Sequence, residues 1–210
     1  MGNTELYMLI SIVVPISMVL FFAKRKVRLF ISFFLLGIVA MYACGWLNVL
    51  LESASKLDGN VYSIGIAPIV EEIVKTWPII FFAFAYKPDR QLILEAGLAV
   101  GIGFAVLENV YMFLAAGGNV SLVMALMRAF GAGMMHGITT SVMGYGLGIL
   151  YTKPRRMAFA GIIALMSTSI VYHSIYNNFV LSGHALIGFS LPTFTLILEL
   201  VLHNHNKRRP

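Results

Sequence analysis

Apolar stretches of about 20 residues follow one another along nearly the whole chain, separated by short polar segments. They cover Thr4–Ala23, Leu29–Leu51, Val61–Tyr86, Gln91–Ala116, Val120–Tyr151, Met157–Leu181 and Ala185–Leu202. At about 1.5 Å of rise per residue, an α-helix of ~20 residues crosses the roughly 30 Å of hydrocarbon in a bilayer. The pattern therefore predicts an all-α polytopic transmembrane bundle of about seven helices. The fifth stretch is too long for one straight span. It is expected to begin as an interfacial or re-entrant segment around Leu122–Arg128 and to become a crossing helix near Gly131. No loop is long enough for a second domain and no fixed-period repeat occurs, so residues 1–210 read as a single integral membrane domain.

Composition strengthens this reading. Hydrophobic residues make up 59% of the chain and charged residues 11%, with a mean hydropathy of +0.86. That is more apolar surface than one soluble core can hide. The first stretch lacks a basic leader, carries Glu5 and runs into Lys24–Arg28 without a small-residue cleavage site. It is expected to be retained as a membrane anchor rather than removed as a signal peptide.

Charge then orients the bundle. Basic residues gather at Lys24, Arg25, Lys26 and Arg28, at Lys87 and Arg90, at Lys153, Arg155 and Arg156, and at Lys207, Arg208 and Arg209. With seven spans all four groups fall on one side, and the opposite loops carry only Lys56. The positive-inside rule makes the basic side cytoplasmic, with the N-terminus outside and the C-terminus inside. The net charge of +6 is thus a topology signal. No soluble face remains to offer a basic patch to nucleic acid, and the expected surroundings are the lipid bilayer. Cys44 is the sole cysteine, which excludes an intrachain disulfide and a thiolate metal cluster. It reads as a buried small apolar residue.

Several ionisable residues nevertheless interrupt the apolar stretches. A charge at the centre of a bilayer costs about 2.5–3.5 kcal/mol even on the lenient insertion scale, so each needs a partner or a hydrated cavity. The third stretch carries Glu71, Glu72 and Lys75. Glu71 and Lys75 are spaced i, i+4 and are expected to pair across one helix turn, leaving Glu72 on another face. The fourth carries Glu108 and Asn109 beyond a small-residue face of Gly97, Gly101 and Ala105. The fifth carries Arg128 and His136, with Gly133, Gly137, Ser141, Gly144 and Gly148 continuing a close-packing face. The sixth ends in His173 and Asn177, which share a helix face. Four separate stretches thus bring polar groups to one layer, in the middle to outer half of the membrane. Glu95 and Glu199 lie nearer the predicted cytoplasmic ends of their stretches, and His184, His203 and His205, at predicted ends, read as hydrated surface residues.

This set suits peptide hydrolysis by an activated water. A carboxylate with an imidazole can take a proton from water, and further donors can stabilise the oxyanion formed at the carbonyl. Glu71 or Glu72 with His136 would activate water, and His173 with Asn177 would hold the oxyanion. Glu108 would be an additional catalytic group, with Lys75, Asn109 and Arg128 in support. Two other chemistries use the same residue types. Glu72, Glu108, His136 and His173 offer oxygen and nitrogen ligands for zinc, although no His-Glu-x-x-His signature is present. A proton-coupled transporter also buries carboxylates and histidines, but no pair of interrupted helices in matching halves is seen. A noncatalytic receptor using the same cavity would bind without needing Glu71 or His136.

Glu71-Glu72-Ile73-Val74-Lys75, the run Gly103 to Tyr111 with Glu108-Asn109, His136 and His173 together resemble the motif series of the PrsW family of intramembrane proteases. The series spans Ala67 to Asn178. That family is grouped with the type II CAAX prenyl endopeptidases, whose His-x-x-x-Asn element His173-Ser-Ile-Tyr-Asn177 resembles. The resemblance implies a glutamic-type, metal-independent peptidase with a core at about 61–182, in which Glu71 activates water beside His136. It implies a multi-pass protein of a prokaryotic cell membrane that cuts membrane-anchored proteins, such as anti-sigma factors, on the extracytoplasmic side. Lys75 stands one position before the arginine of the prenyl endopeptidases, a departure that favours PrsW over a CAAX substrate.

Overall fold

The computed structural model describes residues 14, 23–117 and 120–207, with side chains after Thr195 described only at Ile197. Among the described residues seven helices with given bounds follow in chain order: α1 Arg25–Ser55, α2 Gly59–Gly65, α3 Ala67–Tyr86, α4 Arg90–Ala115, α5 Leu122–Leu150, α6 Arg155–Leu181 and α7 Ala185–Lys207. Among the described residues there is no strand. Six of these helices are long, one fewer than the predicted spans. The first predicted span, Thr4–Ala23, lies outside the described residues except at Val14 and Ala23. By length and composition α1, α4, α5 and α6 can each cross a membrane.

α3 falls short of that criterion because Glu71, Glu72 and Lys75 sit within its 20 residues. Its polarity points inward. Glu72 and Lys75 are 1% and 0% exposed, whereas Ile69, Ile73, Trp77 and Phe81, four residues apart, form an outward apolar stripe. A helix with its polar face inside and its apolar face outside is built for lipid, not water.

Two predicted boundaries are corrected. The stretch Val61–Tyr86 is not one helix: it breaks at Ile66, separating the short α2 from α3. Asp58 caps α2 by accepting from the backbone N–H of Asn60 and Val61, and the Ile66 N–H still reaches Tyr62 O at 2.9 Å. Such a break is tolerated at membrane depth where the backbone lines a cavity, as Ser63 and Ala67 do. Conversely, α5 runs unbroken from Leu122 to Leu150. Its interior glycines do not interrupt it, so Leu122–Arg128 forms no separate re-entrant segment but the first turns of the helix that continues past Gly131.

The glycines of α4 set how closely the bundle closes. A Cβ on Gly101 would overlap the carbonyl oxygen of His136, and one on Gly97 that of Thr140, so α4 and α5 touch backbone to backbone. Below the polar layer a core of Phe33, Ile79, Phe82, Ile93, Val100 and Leu147 fills the bundle. At that end Tyr151 Oη donates to Pro88 O at 3.0 Å, and Arg90 lies over the Tyr145 ring at 5.3 Å. The start of α1 joins them, because Arg25 and Lys26 line a cavity shared with Pro88 and Asp89. Cys44 is free and fully buried beside Ile38 and Phe104, and His184 is exposed.

Candidate active site

The first three turns of α3 carry Glu71, Glu72 and Lys75 into the bundle, where they meet α5 and α6. Glu72 Oε1 accepts from Lys75 Nζ at 2.6 Å and from His173 Nδ1 at 2.8 Å. Lys75 Nζ also lies 2.7 Å from His136 Nδ1. The expected Glu71–Lys75 pair is therefore replaced by Glu72–Lys75, spaced i, i+3. Lys75 is drawn toward His136 and Glu72, and it stands 4.7 Å from the centroid of the Phe104 ring.

The partners fix the imidazole tautomers. An ammonium only donates, so His136 accepts at Nδ1 and donates from Nε2 to Glu108 Oε2, 2.9 Å away. His173 donates from Nδ1 to Glu72, which leaves its Nε2 facing Glu71 Oε2 at 3.8 Å. The two rings meet edge to face with centroids 4.9 Å apart. Thr140 Oγ1 donates to the His136 carbonyl at 2.6 Å, and the close approach of Gly101 pins the same carbonyl.

Glu108 also lies 3.5 Å from Arg128 Nη2, and Arg128 Nε donates to Asn109 Oδ1 at 3.0 Å. Asn177 Nδ2 donates to Ser63 O at 2.9 Å, tying α6 to α2. One amide hydrogen of Asn177 is thus committed to backbone, and one remains. All nine expected site residues belong to this layer. Three more polar residues join it: Asn48 Nδ2 donates to Glu71 Oε1 at 3.4 Å, Tyr62 Oη donates to Asn48 Oδ1 at 3.0 Å, and Ser63 supplies the carbonyl that holds Asn177. Asn48 was open to detection as an amide inside the Leu29–Leu51 stretch, three residues from its end. Tyr62 and Ser63 carry no such signal, because their roles depend on the break at Ile66.

A cavity of about 630 Å³ opens onto the layer, lined among others by Asn48, Tyr62, Glu71, Glu108, Arg128 and Asn177. Glu71 Oε2, Glu72 Oε2 and Arg128 Nη2 are buried without a hydrogen-bond partner. Buried polar atoms rarely stay unsatisfied, and such exceptions mark sites that take a water, an ion or a substrate.

The donor set also fits a divalent metal. Glu71, His136 and His173 each offer one ligand atom, all within 4.8 Å of one another. Two imidazoles and a carboxylate with a position left for water form a familiar catalytic zinc set. Glu72 behind His173 and Glu108 behind His136 match the carboxylates that commonly orient ligating histidines. Of the zinc ligands expected from the sequence, His136 and His173 belong to this group with Glu71, whereas Glu72 and Glu108 stand behind the two imidazoles, and both ring nitrogens of His136 are already bonded, to Lys75 and Glu108.

The sequence model of a family described as PrsW family intramembrane metalloprotease matches residues 25–202. Neither a curated protein nor a solved structure matches the chain.

Proposed function

The chain belongs to the PrsW family of intramembrane proteases, and on that premise we propose that it is an endopeptidase that hydrolyses peptide bonds of membrane-anchored proteins. The observation that carries this reading is the state of Glu71. Its Oε1 is engaged by Asn48, while its buried Oε2 has no partner and faces His173 Nε2 across 3.8 Å beside a cavity of about 630 Å³. A water between these two atoms would satisfy both.

In this proposal Glu71 is the general base. It takes a proton as the water oxygen bonds to the scissile carbonyl carbon, then returns that proton to the leaving nitrogen as the C–N bond breaks. Glu72 serves a different purpose, orienting His173 and balancing Lys75. His173, expected to donate to the oxyanion, is directed by its Nδ1–H toward Glu72. The oxyanion then falls to the second N–H of Asn177 and to Arg128, whose Nη2 is ion-paired with Glu108 at 3.5 Å without a hydrogen bond and whose side chain lines the cavity. His136 and Glu108 hold Lys75 and Arg128 in register.

The buried ammonium of Lys75 supports a metal-independent, glutamic-type mechanism, since it already supplies a cation to Glu72 and His136. The second reading is a metallopeptidase, favoured by the convergence of Glu71, His136 and His173 and by the description of the family. An ion held there would polarise the carbonyl and acidify its water. Under the positive-inside orientation the cavity opens toward the extracytoplasmic half of the membrane, which suits substrates of the anti-sigma-factor kind. The test is proteomic comparison of membranes from cells carrying the active protein and Glu71→Ala. Uncleaved membrane-anchored proteins accumulating in the variant support the proposal, and identical profiles contradict it.

A further inference from the structure

Asn48 stands on α1, away from the helices that carry the acidic and histidine motifs, yet its amide is bonded at both ends. Oδ1 accepts from Tyr62 Oη at 3.0 Å, and Nδ2 reaches Glu71 Oε1 at 3.4 Å. The order of these bonds fixes the amide. A phenol donating to the carbonyl oxygen leaves the NH2 group facing Glu71, whereas a flipped amide would set its oxygen against the carboxylate. Tyr62 is only 2% exposed, so its hydroxyl has little freedom to choose another partner. At 3.4 Å the bond to Glu71 is long, as contacts to a catalytic group often are before substrate binds.

This chain of three residues explains why the two oxygens of Glu71 differ. Oε1 is held by the amide, and Oε2 is the oxygen left unpartnered. Tyr62 sits on α2, and its neighbour Ser63 is held by Asn177. The short helix is therefore bonded to α1 on one side and to α6 on the other.

We infer that Asn48, aimed by Tyr62, is a positioning residue that holds the Glu71 carboxylate with Oε2 turned toward the reacting water. The inference rests on the reading that Glu71 activates water. Asn48 would act through the Glu71 carboxylate rather than on the reacting atoms. Its loss should lower turnover while leaving substrate binding in place.

The experiment uses the full-length protein in liposomes with a library of quenched-fluorescent single-span peptides, followed on the member that the wild type cleaves fastest. Asn48→Leu keeps the side-chain shape but cannot donate. Its kcat should fall at least tenfold with KM within twofold of wild type. Asn48→Gln, which keeps the amide, should recover part of the loss. Tyr62→Phe removes a single hydroxyl and should lower kcat at least threefold, again at constant KM. The double variant Asn48→Leu/Tyr62→Phe should be no slower than Asn48→Leu alone, because both act through one path. A kcat within twofold of wild type in Asn48→Leu, or independent multiplicative losses in the double variant, would overturn the inference. If Asn48→Leu fails to fold, Tyr62→Phe decides: unchanged kcat there overturns it. Glu71→Gln in the same assay separates the two claims. An active Glu71→Gln removes the reading beneath, whereas an inactive Glu71→Gln beside a fully active Asn48→Leu removes only the role of Asn48.

Discussion

Lys75 Nζ stands 2.7 Å from His136 Nδ1 and donates to it, so His136 must donate in turn from Nε2 to Glu108. A lysine that is 0% exposed thus links three helices, α3 to α5 and through Glu108 to α4, by fixing the tautomer of one imidazole. Its charge is balanced by Glu72, itself bonded to His173.

Lys75→Met breaks this ion pair and strands Glu72. Removing one partner of a buried pair costs about 3–5 kcal/mol. Thermal unfolding in detergent should show that loss, and peptide cleavage should fall with it. The double variant Lys75→Met/Glu72→Gln should recover part of the stability but not the activity, because the second substitution takes from His173 the carboxylate that orients it.

Arg128 carries an Nη2 with no hydrogen-bond partner and lines the cavity. As an oxyanion donor its removal in Arg128→Met should lower kcat by about 10²–10³-fold. Arg128→Lys keeps the charge without the planar fork and should recover little of that loss. Steady-state kinetics on a quenched-fluorescent peptide provide the check.

The backbone contact of Gly101 with His136 makes the packing of α4 on α5 a determinant of the site. Gly101→Val would overlap the His136 carbonyl and Thr140 Oγ1, and overpacking of this kind costs about 1–3 kcal/mol. Activity should fall further than stability predicts, since His136 itself is displaced. Gly133→Ala is the control: nothing lies within 4 Å of its added Cβ. Its melting temperature should hold or rise, given that alanine is better than glycine in a helix by up to about 1 kcal/mol.

The layer of buried polar residues was legible from the sequence because charge in an apolar stretch is expensive wherever it occurs, and Glu71, Glu72, Glu108, His136 and His173 all stood out on that ground. Pairing was not legible. Whether Lys75 turns to Glu71 or to Glu72 depends on where His136 arrives from a helix 61 residues away, and helix periodicity carries no such information. The break at Ile66 was hidden for a related reason: hydropathy runs on across Val61–Tyr86, and only the cavity that Ser63 and Ala67 line makes the broken backbone tolerable. Asn48 was hidden because it lies three residues from the end of the Leu29–Leu51 stretch, where a polar side chain can be hydrated. The expectation of a re-entrant segment around Leu122–Arg128 rested on length alone, and a tilted helix accommodates extra residues.

Metal dependence has a direct test. The glutamic-type reading predicts that exhaustive chelation leaves cleavage unchanged and that mass analysis of the purified protein finds no stoichiometric metal. Activity lost on chelation and restored by zinc would assign an ion to Glu71, His136 and His173. In that case Lys75→Met, which frees His136 Nδ1, should raise the metal content of the purified protein.

The central claim is that Glu71 activates the attacking water. Turnover of a single-span peptide by purified Glu71→Gln in liposomes tests it most directly, because the substitution keeps the shape of the side chain and removes its basicity. The account predicts a folded protein, with a melting temperature near that of the wild type, whose cleavage rate falls to background. Cleavage at the wild-type rate by folded Glu71→Gln would contradict it.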